Sequence, residues 1–440
     1  MRWVASDIAD VVDGTVVGDS GVTIDYATQD SRGVDSAGEW LFIPLVAERD
    51  GHDFVGDAVA AGAKIVLAEK PIDAGNATVV RVADTSDALV RLGTASRRRL
   101  AGAQVVGITG SVGKTTTKDL ALAVFSQHGE VQASVRSFNN EIGLPLTLIN
   151  ATERDADYVI LEMGARGIGH IDMLCEIGQP TIGVVTTVGS AHTSEFGSIE
   201  AVAHGKGELI ESLPTSGLAV LNADIPLVAA MAHRTSAPVV TFGVAGDVRA
   251  ESVELSDELI PRFRLVSDWG LVDVELGARG IHLVDNALAV AAAALPLGIS
   301  PEAIAQGLAA PVLSPRRMDL TRTTAGARIL DDTYNANPMS VAAALRSLAA
   351  LPADRRIAVL GAMAELGDES QLEHERMVGL AGSLSIDVIA VAAPEFGLGA
   401  VHVSDHEAAA SRLGVLGEAD ALLVKGSRVA ALERLVAMLT

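Results

Sequence analysis

The sequence is short of cysteine, of positive charge and of long apolar runs, and each shortage removes a class of protein. A single cysteine, Cys175, excludes a disulfide framework and reads as a small buried apolar residue. Lys and Arg number 33 against 56 Asp and Glu, giving a net charge of −23 and an isoelectric point near 4.8. Such an acidic chain disfavours nucleic acid and anionic membrane surfaces as partners. No uninterrupted apolar run reaches the roughly 18 residues that a membrane helix needs. The longest candidate, Ala287 to Leu297, is alanine-rich and too short. The opening MRWVASDIADVVDG carries three aspartates and no apolar signal core. The expectation is a cytoplasmic protein with no membrane insertion and no nucleic-acid partner. A guanine-recognition Asn-Lys-x-Asp motif is absent as well, which argues against a GTPase switch. No internal repeat or low-complexity segment occurs.

What is present is organised around Val105 to Leu120, VVGITGSVGKTTTKDL. A short apolar run ends in a glycine-punctuated turn, then Gly113-Lys114-Thr115, then a helix-compatible segment. Strand, glycine-rich loop, lysine and hydroxyl, helix: this is the setting of a phosphate-binding loop. The strict pattern wants glycine at 108, where Ile108 stands; Gly107, Gly110 and Gly113 supply the flexibility instead. Backbone N–H groups of Gly110, Ser111, Val112, Gly113, Lys114, Thr115 and Thr116 can curl around phosphate oxygens at a helix N-terminus. Lys114 can reach the outer phosphates, and the Thr115 hydroxyl can ligate Mg²⁺.

The length of 440 residues suggests about three domains, and 49% hydrophobic residues are ample for their cores. Residues 1–100 alternate strand-like and helix-like patterns, with a helix at Asp57 to Ala63 and strands at Lys64 to Ala68 and Val79 to Val82. Ser31-Arg32 lies at a turn-like junction, where an arginine beside a serine can grip a diphosphate. The basic run Ala95 to Leu100 reads as a solvated helix end and linker. Residues 101–312 carry buried-strand candidates at Val105 to Thr109, Tyr158 to Glu162, Ile182 to Thr187, Leu218 to Leu221 and Val239 to Phe242. Helical stretches lie between them, so a doubly wound, mostly parallel sheet is expected. Residues 248–275 read as an antiparallel insertion. His282 and Asn286 follow, one helical turn apart on one face. Residues 313–440 repeat the βα pattern, with strands at Arg328 to Asp332, Arg356 to Gly361, Asp387 to Val391 and Ala421 to Lys425. Helices at Pro338 to Leu351, Gln371 to Ser383, His406 to Leu413 and Val429 to Leu439 follow them. The fold class is α/β: a small N-terminal domain, a central P-loop sheet and a C-terminal Rossmann-like domain.

Ligands of such sheets sit beyond the carboxyl ends of the strands, and polar residues gather there. Glu162 ends YVILE, and His192 follows the next strand. With Thr115 they are candidate Mg²⁺ ligands, since Mg²⁺ takes a few oxygen donors and keeps waters. DDTYNANP (Asp331 to Pro338) is dense in hydrogen-bonding groups, with Pro338 placed to open a helix. LVKGSR offers Lys425 and Arg428 to an anionic substrate.

Taken together, DSR, DGHDF, GITGSVGKTTTK, NNEIGLPLT, ILEMGAR, AHTSEFGS, AHGKGELI, HLVDNALAVAAA, DDTYNANP, LGAMAELG and VKGSR resemble the Mur ligase family of ATP-dependent amide-forming enzymes. NNEIGLPLT and DDTYNANP are similar to its members that add D-alanyl-D-alanine to UDP-N-acetylmuramoyl-tripeptide, the final cytoplasmic step of peptidoglycan precursor synthesis. Another Mur-type or a folylpolyglutamate-type amino-acid ligase is the alternative. The resemblance implies ATP, two Mg²⁺ ions and a carbamate formed from CO₂ on Lys206. It places Glu162, His192 and the modified Lys206 at the metals, and His282, Asn286, Arg317 and Asp332 at ATP. Ser31 and Arg32 fall to the UDP end. Asn139, Asn140, Asn335, Asn337 and Arg428 fall to the substrates. A monomer acting through an acyl phosphate, closed off from water by its C-terminal domain, is the implied enzyme.

Overall fold

A computed structural model describes residues 2–135, 137–189 and 193–440. Three sheets of five or six strands follow one another along the chain. The first contains β1 (Thr15–Val17), β2 (Tyr26–Thr28), β3 (Trp40–Phe42), β4 (Ala63–Ala68) and β5 (Thr78–Arg81), in the order β1-β5-β4-β3-β2. Only the β1–β5 pairing is antiparallel.

The central sheet is wholly parallel. Its strands are β6 (Gln104–Thr109), β7 (Val131–Ala133), β8 (Tyr158–Glu162), β9 (Ile182–Val185), β10 (Leu218–Asn222) and β11 (Val239–Phe242), in the order β11-β10-β9-β6-β8-β7. Their apolar runs are buried on both faces, as all-parallel strands require. Val106 and Ile108 face the helices Lys114–Phe125 and Leu283–Ala294. Val105, one step out of phase, joins the core of Gly143–Arg154 and His170–Gly178 on the opposite face. The alanine-rich stretch that is too short to cross a membrane becomes the buried helix Leu283–Ala294, whose small side chains admit its neighbours closely. Among the described residues, no helix is long and apolar enough to cross a membrane.

Residues read as an antiparallel insertion form β12 (Arg249–Leu255), β13 (Pro261–Ser267) and β14 (Gly270–Glu275), a separate three-stranded sheet. The last sheet has β15 (Asp319–Arg322), β16 (Arg328–Asp331), β17 (Arg355–Leu360), β18 (Asp387–Val391), β19 (Val401–Val403) and β20 (Asp420–Lys425) in the order β15-β16-β20-β17-β18-β19. It is parallel except for its β15 edge.

Specific contacts join the three units. The Asn150 side chain accepts from the Ala27 backbone N–H at 2.7 Å and donates to its carbonyl at 3.2 Å, extending the edge of the first sheet. The basic run Ala95 to Leu100 corrects the sequence reading. It lies mostly within the helix Thr85–Arg99, and Arg97 is buried, donating to the carbonyls of Gly178, Gln179 and Leu100. A cation satisfying the orphan carbonyls of a neighbouring helix C-terminus is a structural role. The Asp119 carboxylate accepts from Ser314 N–H at 2.7 Å, fixing the linker that leads to the third unit. The final helix also differs from expectation. It spans Glu433–Leu439, because a 3₁₀ turn at Arg428–Ala430 ends in Ala431 with φ 48°.

Candidate active site

The carboxyl ends of the central strands and those of the last sheet meet across a cleft of about 700 Å³. The phosphate-loop segment joins β6 to Lys114–Phe125, and hydrogen bonds pin it from behind. Ser111 N–H donates to the Thr187 carbonyl at 2.9 Å, Val112 N–H to Thr187 Oγ1 at 2.9 Å, and Thr186 Oγ1 to the Val112 carbonyl at 2.7 Å. Close approach makes glycine necessary at 110: a Cβ there would lie 2.0 Å from Thr186 Oγ1. Gly110→Ala is therefore expected to destabilise the protein by about 1–3 kcal/mol and to weaken ADP binding. Thermal melting and calorimetry check this, and an unchanged variant would contradict the packing described.

Lys114 Nζ donates to the Gly110 carbonyl at 2.7 Å. Burial pulls its pKa below the usual lysine range; Glu162 opposes this, Arg317 reinforces it, and Glu365 opposes it. Glu162 is buried. Its Oε1 accepts from Asn139 Nδ2 at 2.9 Å, while Oε2 has no hydrogen-bond partner among the described residues. A buried carboxylate oxygen left this way is costly without a partner. Thr115 and Glu162 both line the cleft, and a hydroxyl and a carboxylate are the oxygen donors that a hard divalent ion takes. His192, also expected here, lies outside the described residues.

Lys206 does not line the cleft. It is 1% exposed on the helix Ile199–Glu211, and burial, helped by the charge of Lys114, brings its pKa down to about 7. Neighbouring Glu208 serves elsewhere, accepting from the N–H groups of Gly169 and Asp172.

Asn286 braces the loop, with Nδ2 donating to Thr117 Oγ1 at 2.8 Å and to the Gly113 carbonyl at 3.3 Å. His282 precedes the same helix and reaches the cleft; burial lowers its pKa to about 4, so its ring is neutral near pH 7.

From the third unit, Arg317 donates to Thr115 Oγ1 at 2.9 Å and stacks over Tyr334 at 4.1 Å. Tyr334 donates in turn to Ser137 Oγ at 2.5 Å. Asp332 pairs with buried Lys425 at 2.5 Å, and Lys425 also donates to the Asn335 carbonyl at 2.8 Å. Losing one partner of a buried pair strands the other charge. Asp332→Asn is accordingly expected to lower stability by about 3–5 kcal/mol, read from urea unfolding midpoints. A change within 0.5 kcal/mol (~ the scatter of surface variants) would show that the pair carries no such weight.

Two long stretches of the chain match known families. Residues 108–294 match the family described as Mur ligase middle domain, and residues 316–428 match Mur ligase, glutamate ligase domain. The UDP-N-acetylmuramoyl-tripeptide–D-alanyl-D-alanine ligase of Mycobacterium tuberculosis is 45% identical over 401 residues, covering 85% of this chain and 78% of its own. The Escherichia coli enzyme of that name is 34% identical, covering 98% and 97%. The chain belongs to the Mur ligase family. Among solved structures, MurF from Acinetobacter baumannii superposes with a TM-score of 0.88 at 30% identity, covering 100% of this chain and 99% of that one. MurF from Thermotoga maritima in complex with ADP gives 0.80 at 29% identity, covering 94% and 97%.

In this Mur ligase, Asn335, Asn337 and Arg428 line the cleft with the residues above. Asn337 is also the N-cap of Pro338–Ala350, in a reciprocal capping box with Ser340. Asn140 is not on the cleft wall; its Oδ1 accepts from Ile142 and Gly143 N–H at the start of Gly143–Arg154. Ser31 and Arg32 lie in an exposed turn of the first unit, outside this cleft, with Arg32 ion-paired to Asp30 at 2.7 Å. Sequence reasoning gave no role to Ser137, Tyr334 or Glu365. Tyr334 and Glu365 stood inside quoted motifs, whereas Ser137 carried no signal beyond its place two residues before Asn139.

Proposed function

We propose that this Mur ligase joins D-alanyl-D-alanine to UDP-N-acetylmuramoyl-tripeptide at the expense of ATP, through an acyl phosphate. One observation carries the reading: a phosphate loop with a buried Glu162 oxygen, unpartnered among the described residues, on one wall faces the cations Arg317, Lys425 and Arg428 on the other. A carboxylate does not react with an amine at neutral pH. Attack of the tripeptide carboxylate on the γ-phosphorus breaks its bond to the β–γ bridging oxygen, releases ADP and converts the carboxylate to an acyl phosphate with a good leaving group. The dipeptide amine then adds at that carbonyl carbon, and phosphate departs.

Lys114 neutralises charge on the transferred phosphoryl group, a matter of positioning and electrostatics. Asn139 orients Glu162. Magnesium ions, when bound, would supply positive charge against that of the phosphates; Thr115, Glu162, His192 and carbamylated Lys206 are the residues that would hold them. Carbamylation needs a neutral amine, and a lysine with pKa near 7 supplies one at neutral pH. Arg317, Asp332, His282 and Asn286 act on ATP. Asn335, Asn337 and Arg428 act on the peptide substrates, whereas Asn140, expected among them, is taken up in capping Gly143–Arg154. Ser31 and Arg32 hold the UDP end. The assignment divides the chain at 1–100, 101–312 and 313–440 and describes a cytoplasmic monomer.

The test supplies ATP, Mg²⁺, UDP-muramoyl-tripeptide labelled with ¹⁸O in its terminal carboxylate, and D-alanyl-D-alanine. The expected result is the amide by mass spectrometry, with one label in inorganic phosphate. Unlabelled phosphate would defeat the acyl-phosphate route, and product from another amino acid in preference to the dipeptide would defeat the acceptor assignment.

A further inference from the structure

We infer that Asp319 is a positioning residue for phosphoryl transfer: it holds the loop Ser314 to Met318 so that the Arg317 guanidinium is aimed at the transferred group. This rests on the ligase reading above. Arg317 and Met318 line the cleft and Asp319 does not, so Asp319 acts on the reaction through the loop.

The loop is tied at both ends. At its start, Ser314 N–H donates to Asp119 Oδ2 at 2.7 Å. Asp119 is buried and ion-paired with buried Lys118 at 2.7 Å, and Lys118 also donates to the Ser134 carbonyl at 3.0 Å. Towards its end, Arg316 N–H donates to Asp319 Oδ2 at 2.6 Å, and the Arg316 carbonyl accepts from Tyr334 N–H at 3.2 Å. Asp119 and Thr115 lie one turn apart on the helix Lys114–Phe125. From its anchor on Asp119 the loop thus runs back along that helix, and Arg317 meets Thr115 Oγ1 at 2.9 Å.

Holding is needed because the backbone is strained. Arg316 and Met318, the two neighbours of Arg317, stand at φ 63° and φ 60°. A β-carbon disfavours this left-handed conformation, so it persists only where the surroundings over-determine it. Met318 is fixed by burial in the core of the third unit. Arg316 is fixed by the Asp319 carboxylate on its N–H and by an ion pair with Glu433 at 3.2 Å. The result is a division of labour between adjacent arginines. Arg316 reaches the final helix of the third unit, while Arg317 reaches across to the second unit.

The Arg317 guanidinium has a donor to spare. One terminal nitrogen meets Thr115 and the group stacks over Tyr334, but its buried Nε has no hydrogen-bond partner among the described residues. A planar fork of donors matches the oxygens of a phosphoryl group. The charge of Arg317 is also felt at Lys114, where it opposes protonation. Two cations that repel one another and still converge are arranged for an anion between them, and such an arrangement stabilises charge developing in transfer.

The experiment uses the full-length enzyme with ATP, Mg²⁺ and UDP-muramoyl-tripeptide. Hydroxylamine replaces the dipeptide and traps the acyl phosphate as a hydroxamate, so that the first half-reaction is read alone. Asp319→Ala is expected to lower kcat about 10²-fold, the cost of a small misplacement, with kcat/KM for ATP falling equally. Asp319→Asn, which keeps an oxygen for the Arg316 N–H, should recover most of the rate. Arg317→Met should cost about 10²–10³-fold, and adding Asp319→Ala to it should cost nothing more, since no guanidinium is left to aim. Calorimetry gives a reading without turnover. With the tripeptide substrate present, ADP and fluoroaluminate, a mimic of the group in flight, should bind Asp319→Ala more weakly than wild type, while ADP alone binds both equally. Should the alanine variant not fold, Asp319→Glu keeps the charge and displaces the oxygen by one methylene; a lowered kcat supports the inference and a wild-type rate overturns it. Losses that add in the double variant, an asparagine variant as slow as alanine, or lowered melting with unchanged kcat would make Asp319 a structural staple only and overturn the inference. Wild-type enzyme that forms no hydroxamate refutes the ligase reading instead.

Discussion

Lys114→Met is expected to lower the rate of phosphoryl transfer by about 10³-fold or more while leaving the protein folded. Methionine matches the length and apolar stem of lysine, so the helix start at Lys114–Phe125 keeps its packing. What is lost is the charge, which leans on the Gly110 carbonyl in the present geometry and would turn to the outer phosphate oxygens. Because burial already penalises the ammonium, the variant should melt no lower than wild type. Hydroxamate trapping measures the first half-reaction directly. A variant within tenfold (~1.4 kcal/mol) of wild type would remove Lys114 from the chemistry.

Lys206→Met should separate stability from activity even more sharply. The unfolded chain holds this proton up to about pH 10.5, whereas the folded protein releases it near pH 7. Between those values the unfolded state binds more protons, so the contribution of Lys206 to stability rises with pH. Below pH 7 both states are charged and the full cost of burial is present. At 1.36 kcal/mol per unit, that cost is at most about 5 kcal/mol. In CO₂-depleted buffer the methionine variant should therefore melt higher than wild type at pH 7 and lack this pH slope. Its ligase activity should be about 10²–10³-fold lower, as for loss of a charged group at the transition state, and indifferent to bicarbonate. Wild-type activity should fall on CO₂ removal and return with bicarbonate. Full activity in the methionine variant would end the carbamate proposal.

The strands of the central and last sheets were legible because both faces are buried, which turns each into an apolar run bounded by polar residues. Tyr158–Glu162, Val239–Phe242 and Asp387–Val391 stand where the runs put them. Three edge or near-edge strands were not legible. Val131–Ala133, Asp319–Arg322 and Val401–Val403 have only three or four residues of mixed polarity. They are strands because a neighbour pairs with them, and a neighbour is not a local property. The same reason hides Ser137, which belongs to no spacing pattern and acquires meaning only when Tyr334 of the third unit is folded against it. The phosphate loop, by contrast, needs only contiguous residues, so it could be read despite Ile108.

Gly189 illustrates how finely those two units are matched. A β-carbon on it would fall 2.0 Å from the Met339 sulfur, at the start of the helix Pro338–Ala350. The spacing between the two walls of the reaction chamber is thus set, at that point, by the absence of a single methyl group. A thioether, the most deformable of apolar groups, fills the vacancy, so the joint can seat tightly without being rigid.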